Sequence, residues 1–111
     1  MDSQALFDTL VDSTRRRILA LLLAQGELCV CELTVALDES QPKISRNLSV
    51  MKRSGLVVSR REGTWMHYRL AKLPAWTVDI LRPLTKGGVT DFKDDMNRLK
   101  IVSSRADRCA N

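Results

Sequence analysis

The apolar residues in the first half of the chain recur every three or four positions, which is the spacing of amphipathic helices. This pattern predicts a short helix over residues 3–10 and a second one from an N-cap at Asp12 or Ser13 to a stop at Gly26. A third helix is predicted over residues 30–37. A fourth follows the turn Asp38-Glu39-Ser40 and runs to about Ser54, with Pro42 in its first turn.

Beyond Gly55 the spacing changes to that of a β-strand. Met66, Tyr68 and Leu70 alternate with more polar positions, and residues 61–64 lie between two β-prone runs, so we expect a hairpin. Helical spacing returns over residues 74–86 and 89–104; the apolar stripe of the last helix consists of Val89, Phe92, Met96, Leu99 and Val102. The predicted fold is therefore mostly α with one small β-hairpin, in the order α-α-α-α-β-β-α(-α).

The length of 111 residues is that of one domain, which we place at residues 1–104 and follow with a flexible C-terminal tail at 105–111. With 44% hydrophobic residues the chain can form a core, but the core of so short a chain is thin. The terminal helices could simply close that core. We expect them instead to pair two copies into a homodimer.

Several classes of protein are excluded by what the sequence lacks. The longest apolar run, residues 18–24, is too short to cross a membrane, and the first eight residues do not form a signal peptide. An odd number of cysteines, three, fits a reducing cytoplasm better than a disulfide scaffold. Because no Ser/His/Asp set, carboxylate pair in a cleft or phosphate loop is visible, we do not expect an enzyme.

The positive charge is concentrated in one part of the chain. The net charge is +5, yet residues 41–70 alone carry +6, from seven basic residues and one acidic residue. A short helix, a tight turn and a polar helix make a helix-turn-helix, and the basic hairpin after it makes the winged variant. A basic winged helix-turn-helix favours binding of double-stranded DNA, although a protein partner for the same fold stays open.

The polar helix and the hairpin supply the candidate DNA contacts. Gln41 has the groups to pair with adenine and Arg46 with guanine, while the hairpin arginines are placed for phosphates or the minor groove. The predicted DNA-binding residues are Ser40, Gln41, Lys43, Ser45, Arg46, Ser49, Arg60, Arg61, Thr64 and Arg69. Arg15, Arg16 and Arg17 begin the second helix, the unfavourable end for cations, which suggests either a phosphate contact or a solvated turn.

Two cysteines separated by one residue, Cys29 and Cys31, lie at the start of the third helix. Thiolates are soft ligands that select soft ions, so the pair is a candidate metal or metalloid site. Side chains two apart point the same way in extended backbone and nearly opposite ways in a helix. Joint coordination should therefore distort the first helical turn, unless the two residues are ordinary small core residues.

Three segments of the sequence resemble the corresponding segments of the ArsR family of arsenic-responsive winged-helix repressors. They are the cysteine box at residues 27–33, the recognition helix at 40–48 and the wing at 63–70. The start of the second helix, at residues 12–16, is also similar. The resemblance implies a homodimeric repressor of an arsenic-resistance operon that releases operator DNA on binding arsenite or antimonite, with no organic cofactor.

The chain departs from the family pattern at two positions. The family's box commonly has a third cysteine three residues after the second, where this chain has Thr34. Cys109 in the tail is then the one remaining protein sulfur, and a small thiol or hydroxide is the other candidate for a third ligand. Asn47 stands where many relatives carry histidine, which would alter operator preference.

Two alternatives within the same family remain. One is sensing of a soft divalent metal, zinc, cadmium or lead. Zinc sensors of this fold place His and Asp on the helix before the C-terminus, whereas residues 74–86 contain Asp79 and no histidine. The other alternative is sensing of oxidants by Cys29 and Cys31, for which the close spacing strains an intramolecular disulfide.

Overall fold

The computed structural model describes residues 1–86 and 91–103, the last two by their backbone alone. The helices and strands in this part of the chain are α1 (Ser3–Leu10), α2 (Ser13–Gln25), β1 (Glu27–Cys29), α3 (Val30–Leu37), α4 (Gln41–Arg53), β2 (Val57–Glu62), β3 (Trp65–Leu70), α5 (Ala75–Leu81), a 3₁₀ turn (Arg82–Thr85) and α6 (Phe92–Ser103). The predicted fold class is confirmed, with one strand and one 3₁₀ turn added to it.

The second helix, α2, lies at the centre of the fold. It contacts each of the other helices and the strands β1 and β3. The Asp12 carboxylate caps its N-terminus by accepting from the Arg15 N–H at 3.1 Å, and Gly26 ends it with a φ of 89°. Its apolar side chains form the middle of the core and are fully buried: Ile18, Leu19, Leu21 and Leu22.

The three strands form an antiparallel sheet in the order β1-β3-β2. The hairpin turns at two residues, Gly63 and Thr64, with a φ of 63° at the first, where glycine is favoured. The strand β2 thus continues to Glu62, past the predicted start of the turn. The strand β1 was not predicted, because three residues are too few to show an alternating pattern and its pairing partner is about forty residues away.

The prediction of one continuous helix over residues 74–86 is wrong. The α-helix ends at Leu81 and the chain continues as the 3₁₀ turn, because Pro83 has no N–H and its ring clashes with the preceding turn. The last helix is confirmed from Phe92 to Ser103. Val89, the side chain of Val102 and the predicted tail at 105–111 lie outside the described residues.

The helix α6 packs against α3 and closes the core of the monomer. Leu99 is buried, and Phe92 and Met96 pack against the core. The described part of its apolar stripe therefore faces inward. What remains exposed on the terminal helices is a different set of apolar side chains, Phe7 and Ile101, together with Val11 just after α1.

A buried carboxylate, that of Asp95 on α6, ties this helix to two other parts of the molecule. Its side chain is completely buried and accepts from Arg17 of α2 at 2.8 and 3.0 Å and from Arg98 at 2.7 Å. The two arginines also donate to the last carbonyls of α3, Arg17 to Leu37 and Arg98 to Ala36, both at 2.7 Å. The side-chain hydrogen bond from Arg17 to Asp95 raises the pKa of Arg17 above its usual value.

These contacts explain why a cation stands at the unfavourable end of α2. The last carbonyls of a helix have no partners within the helix, and here the guanidinium groups satisfy them. Arg16, next to Arg17, donates in the same way to the carbonyls of Leu10 and Val11 at 2.6 and 3.0 Å. Tertiary contacts therefore outweigh the helix dipole at this position.

Replacing Asp95 by alanine should destabilise the fold by about 3–5 kcal/mol, because the mostly buried Arg17 would lose its hydrogen-bonded carboxylate and keep only the longer pairs with Glu39 and Asp91. Urea unfolding at one fixed protein concentration measures the change. The matched control is Asp79→Ala, which breaks an exposed pair with Arg82 and should cost about 0–1 kcal/mol. Equal losses in the two variants would show that Asp95 has no special role.

Candidate DNA interface and cysteine pair

The turn between α3 and α4 sets the orientation of the polar helix. Asp38 adopts the left-handed conformation, with a φ of 54°, which aspartate tolerates better than most residues. Glu39 lies 3.5 Å from Arg17 and 3.1 Å from the Lys43 ammonium. Ser40 is the N-cap of α4, and its hydroxyl accepts from the Lys43 N–H at 3.4 Å. Both helices are thereby fixed at their junction.

The outward face of α4 carries most of the predicted DNA contacts. Gln41, Arg46 and Ser49 are exposed, and Ser45 is half-buried beside them. Two further predicted residues already have partners in the turn: the Ser40 hydroxyl caps the helix, and the Lys43 ammonium pairs with Glu39. The free hydrogen-bonding groups of the helix therefore lie along one side, as contacts in a major groove require.

Asn47 lies on the opposite, inner side of α4. It is buried, its oxygen accepts from Arg15 of α2 at 3.1 Å, and its amide nitrogen donates to the Lys43 carbonyl at 3.0 Å. The structure thus places this side chain in a contact between two helices. A side chain held between two helices does not face the bases, so this arrangement does not support the expectation that Asn47 alters operator preference.

The hairpin arginines do not share one face, because successive side chains of a strand point to opposite sides. Arg60 lies opposite His67, and Val58 lies opposite Arg69, so Arg60 and Arg69 are on the outer face. Arg61 is on the other face, which also carries Ser59. Ser59 accepts from Lys52 of α4 at 2.8 Å, which fixes the hairpin to the polar helix. Thr64 is exposed in the turn.

Arg60 is held by two carboxylates. Its guanidinium donates to both oxygens of Glu27 on β1, at 2.6 to 3.0 Å, and to Glu62 at 2.7 Å. These hydrogen bonds lower the pKa of Glu27 and of Glu62 and raise that of Arg60. The pairs stabilise the fold above the unfolded-state pKa of the carboxyls, and this contribution is lost as pH falls through the lowered values. Sequence analysis missed Glu27, whose role depends on the unpredicted strand.

The two cysteines meet at the junction of β1 and α3. Cys29 ends the strand and is the N-cap of the helix, with extended backbone angles of −88° and 165°, while Cys31 is the second residue of the helix. Their sulfur atoms lie 3.0 Å apart. The backbone N–H of Cys29 donates to the buried Glu32 carboxylate at 2.9 Å.

This arrangement differs from a placement of both cysteines inside the helix. The sulfurs converge while the first turn of α3 stays intact, because Cys29 lies outside the helix and its extended backbone turns the side chain over the helix end. A metal–sulfur bond is about 2.3 Å long, so a tetrahedral ion holds two sulfurs roughly 3.8 Å apart, and the pair would open slightly to bind one ion. The expected distortion of the first turn of α3 on joint coordination stays a prediction.

The third ligand is not found among the described residues. No group of three or more His, Cys, Asp or Glu side chains that could hold a metal ion occurs in this part of the chain. Thr34 lies one turn after Cys31, so the two side chains lie on the same side of α3, and its hydroxyl donates to the Val30 carbonyl at 2.8 Å. Cys109 lies outside the described residues.

Similar sequences point to one family. The profile of the bacterial regulatory proteins of the arsR family matches residues 12–59. An arsenical resistance operon repressor of Escherichia coli is 53% identical over 77 residues, which cover 68% of this chain and 66% of that protein. An arsenic resistance transcriptional regulator of Pseudomonas putida, ArsR2, is 42% identical over 100 residues, or 89% of this chain and 87% of that protein.

Solved structures agree with the sequences. Reduced HlyU from Vibrio cholerae superposes with a TM-score of 0.67 at 30% identity, covering 75% of this chain and 84% of that one. A homodimeric winged helix-turn-helix domain from Mycobacterium bovis superposes with a TM-score of 0.60 at 34% identity, covering 74% of this chain and 70% of that one. The antimony-specific transcriptional repressor AntR superposes with a TM-score of 0.61 at 29% identity, covering 68% of this chain and 67% of that one.

The fold, the polar helix and the basic hairpin define a DNA-binding winged helix-turn-helix regulator. More particularly, the chain belongs to the ArsR family of bacterial transcriptional repressors. Its curated relatives are named as regulators of transcription rather than as enzymes. Within the described residues, no helix is long and apolar enough to span a membrane.

Replacing Glu27 by glutamine should strengthen DNA binding about three- to tenfold at low salt, because Arg60 loses one competing carboxylate and a negative charge beside the hairpin is removed. Fluorescence anisotropy on DNA from upstream of the gene measures the affinity. Asp94→Asn, which removes an exposed carboxylate from α6, is the matched control and should change affinity less. Unchanged or weaker binding by the Glu27 variant would contradict this role for the pair.

Proposed function

We propose that this chain represses an arsenic-resistance operon by binding operator DNA as a homodimer, and that it dissociates when arsenite or antimonite binds Cys29 and Cys31. The observation that carries the proposal is the 3.0 Å separation of the two sulfurs at the start of the helix that leads into the recognition helix. The relatives named for arsenic resistance and the antimony-specific structure support the same class of inducer.

The environment of the pair suits a thiophilic ion. The N-terminus of α3, where the pair lies, carries a partial positive charge. Cys29 is 2% exposed and Cys31 is half-buried, so an ion reaches the site from the side of Cys31. Trivalent arsenic and antimony favour three sulfurs in a pyramid, and Cys109 or a small cellular thiol, or else hydroxide, would complete the coordination. We place this chemistry in the cytoplasm, where thiols stay reduced.

The site is coupled to both DNA-binding elements through the backbone. Towards the C-terminus, α3 has eight residues before the turn that begins α4. Across the sheet, Cys29 pairs with His67 of β3, and Glu27 holds Arg60 of β2. An ion that shifts Cys29 therefore displaces the strand β1 and the helix α3 together. Because β1 contacts the hairpin and α3 leads into α4, both DNA-binding elements change position.

Self-association has its support in the exposed apolar side chains of the terminal helices. Phe7 is 53% exposed and Ile101 is 61% exposed, whereas Leu6 and Leu99 on the same helices are buried. A two-fold dimer presents two recognition helices about one DNA turn apart, which matches a palindromic operator. The homodimeric structural relative has the same fold.

One alternative within the family has an observation in its favour. The contact between the two sulfurs would also suit formation of an intramolecular disulfide under oxidation, and one structural relative is described as reduced HlyU. Diamide in place of arsenite tests it: release of DNA by diamide and not by arsenite would favour an oxidant sensor. Release by arsenite under a reducing agent would favour the metalloid.

Replacing Cys29 by serine should abolish release of DNA by arsenite while leaving DNA affinity in the absence of arsenite unchanged. Serine is a favourable N-cap, so the start of α3 is retained and one soft ligand is removed. Anisotropy with arsenite, at fixed salt and with a reducing agent, measures release. Equal release in wild type and variant would contradict the proposed site, and Cys109→Ser in the same assay tests the third sulfur.

Replacing Thr34 by cysteine should tighten arsenite binding at least about tenfold, or about 1.4 kcal/mol, because a third sulfur joins the pair from the same side of α3. Val35→Cys is the matched control, since the neighbouring side chain is 44% exposed and points to another side of the helix. Competition with a dithiol measures both affinities. An equal gain in the two variants would show that the added sulfur does not join the pair.

A further inference from the structure

An arginine-lined groove lies between α2 and α4, beside the outward face of the recognition helix. Its volume is about 500 Å³. Three arginines line it together with Pro42, Ser45, Asn47, Ser49 and Val50: Arg15 from α2, and Arg46 and Arg53 from α4. No carboxylate is among the lining residues, so the groove has the character of an anion site.

Arg15 is held rigidly in this groove. Its Nε donates to the Thr9 carbonyl at 2.8 Å, one terminal nitrogen donates to the Asn47 oxygen at 3.1 Å, and the other lies 3.5 Å from the Asp8 carbonyl. A guanidinium has five N–H groups, so at least two of them have no acceptor among the described residues. A fixed cation with unused donors loses little conformational freedom on binding an anion.

The position of the groove indicates which anion it takes. Arg46, Ser49 and Arg53 lie on the exposed side of α4 and all line the groove. A helix seated in a major groove has the phosphate backbones along its two sides. The other arginines at the start of α2 are used differently, since Arg16 caps carbonyls and Arg17 binds Asp95.

The geometry points to Arg15, aided by Arg53, as a contact to one backbone phosphate of the operator, positioned by Asn47. This inference rests on the proposed DNA binding and extends it to a residue outside the recognition helix. A phosphate contact contributes affinity without reading sequence. Asn47 acts as a positioning residue, because its side chain faces Arg15 rather than solvent.

The test is the salt dependence of DNA binding by the full-length protein. Removing one phosphate contact should lower the slope of log affinity against log salt by about 0.9. We expect Arg15→Gln to reduce the slope by that amount and to weaken cognate and scrambled duplexes alike, by about tenfold near 0.1 M salt. Arg15→Lys should restore the slope, since the charge is kept. Arg16→Gln, the matched neighbour outside the groove, should leave the slope unchanged.

Arg53→Gln keeps the test decisive if Arg15→Gln does not fold, because Arg53 is exposed and its replacement does not disturb the contact between α2 and α4. It should lower the slope in the same way. The phosphate assignment would be overturned if Arg15→Gln and Arg53→Gln both keep the wild-type slope, or if Arg16→Gln lowers the slope equally. Either result would leave the proposed DNA binding itself intact. A wild-type protein that binds no duplex would contradict the proposed function itself.

Discussion

The position of Cys29 is the constraint on which the cysteine site depends. One residue ends the strand β1 and caps the helix α3, so its backbone is held by the sheet on one side and by the helix on the other. Extended angles at this residue bring its sulfur to within 3.0 Å of that of Cys31 without any loss of helix. A ligand at the sulfurs therefore acts on a junction rather than on the interior of an element.

The other end of α3 is fixed just as firmly. The buried Asp95 holds two arginines that satisfy the last carbonyls of the helix, and Arg17 extends this network to Glu39 in the turn. In the proposed function, a shift at Cys29 would tilt this eight-residue helix about its anchored C-terminal end. The proposed route from the two sulfurs to the DNA-binding face is then a tilt that reorients the turn and the first residues of α4.

Local chemistry made most of the fold predictable. The caps Asp12 and Ser40, the stop at Gly26 and the change of period before Met66 each have a cause within a few residues, and each element was found where that cause placed it. The strand β1 was missed because its stability depends on pairing with distant β3. The break at Pro83 has a local cause as well, since a proline within a helical pattern ends or kinks the helix.

The candidate site was predictable in part for the same reason. The spacing of the cysteines and the polar side chains of α4 are local features. In contrast, the partners of Arg17, Arg60 and Asn47 lie 78, 33 and 32 residues away in sequence, and no pattern along the chain brings them together. Arginine readily forms such long-range contacts, so charge alone did not separate arginines that face DNA from those that hold the fold.

The most direct measurement is amide hydrogen exchange of the DNA-free protein with and without arsenite. The account predicts altered exchange in β1, in the first turn of α3 and at the N–H of Lys43. This N–H lies in the first turn of α4 and donates a hydrogen bond to the Ser40 hydroxyl. Amides of the core helix α2 around Ile18 should not change. Bound arsenite with altered exchange confined to Cys29 and Cys31 would contradict the coupling between the cysteine pair and the recognition helix.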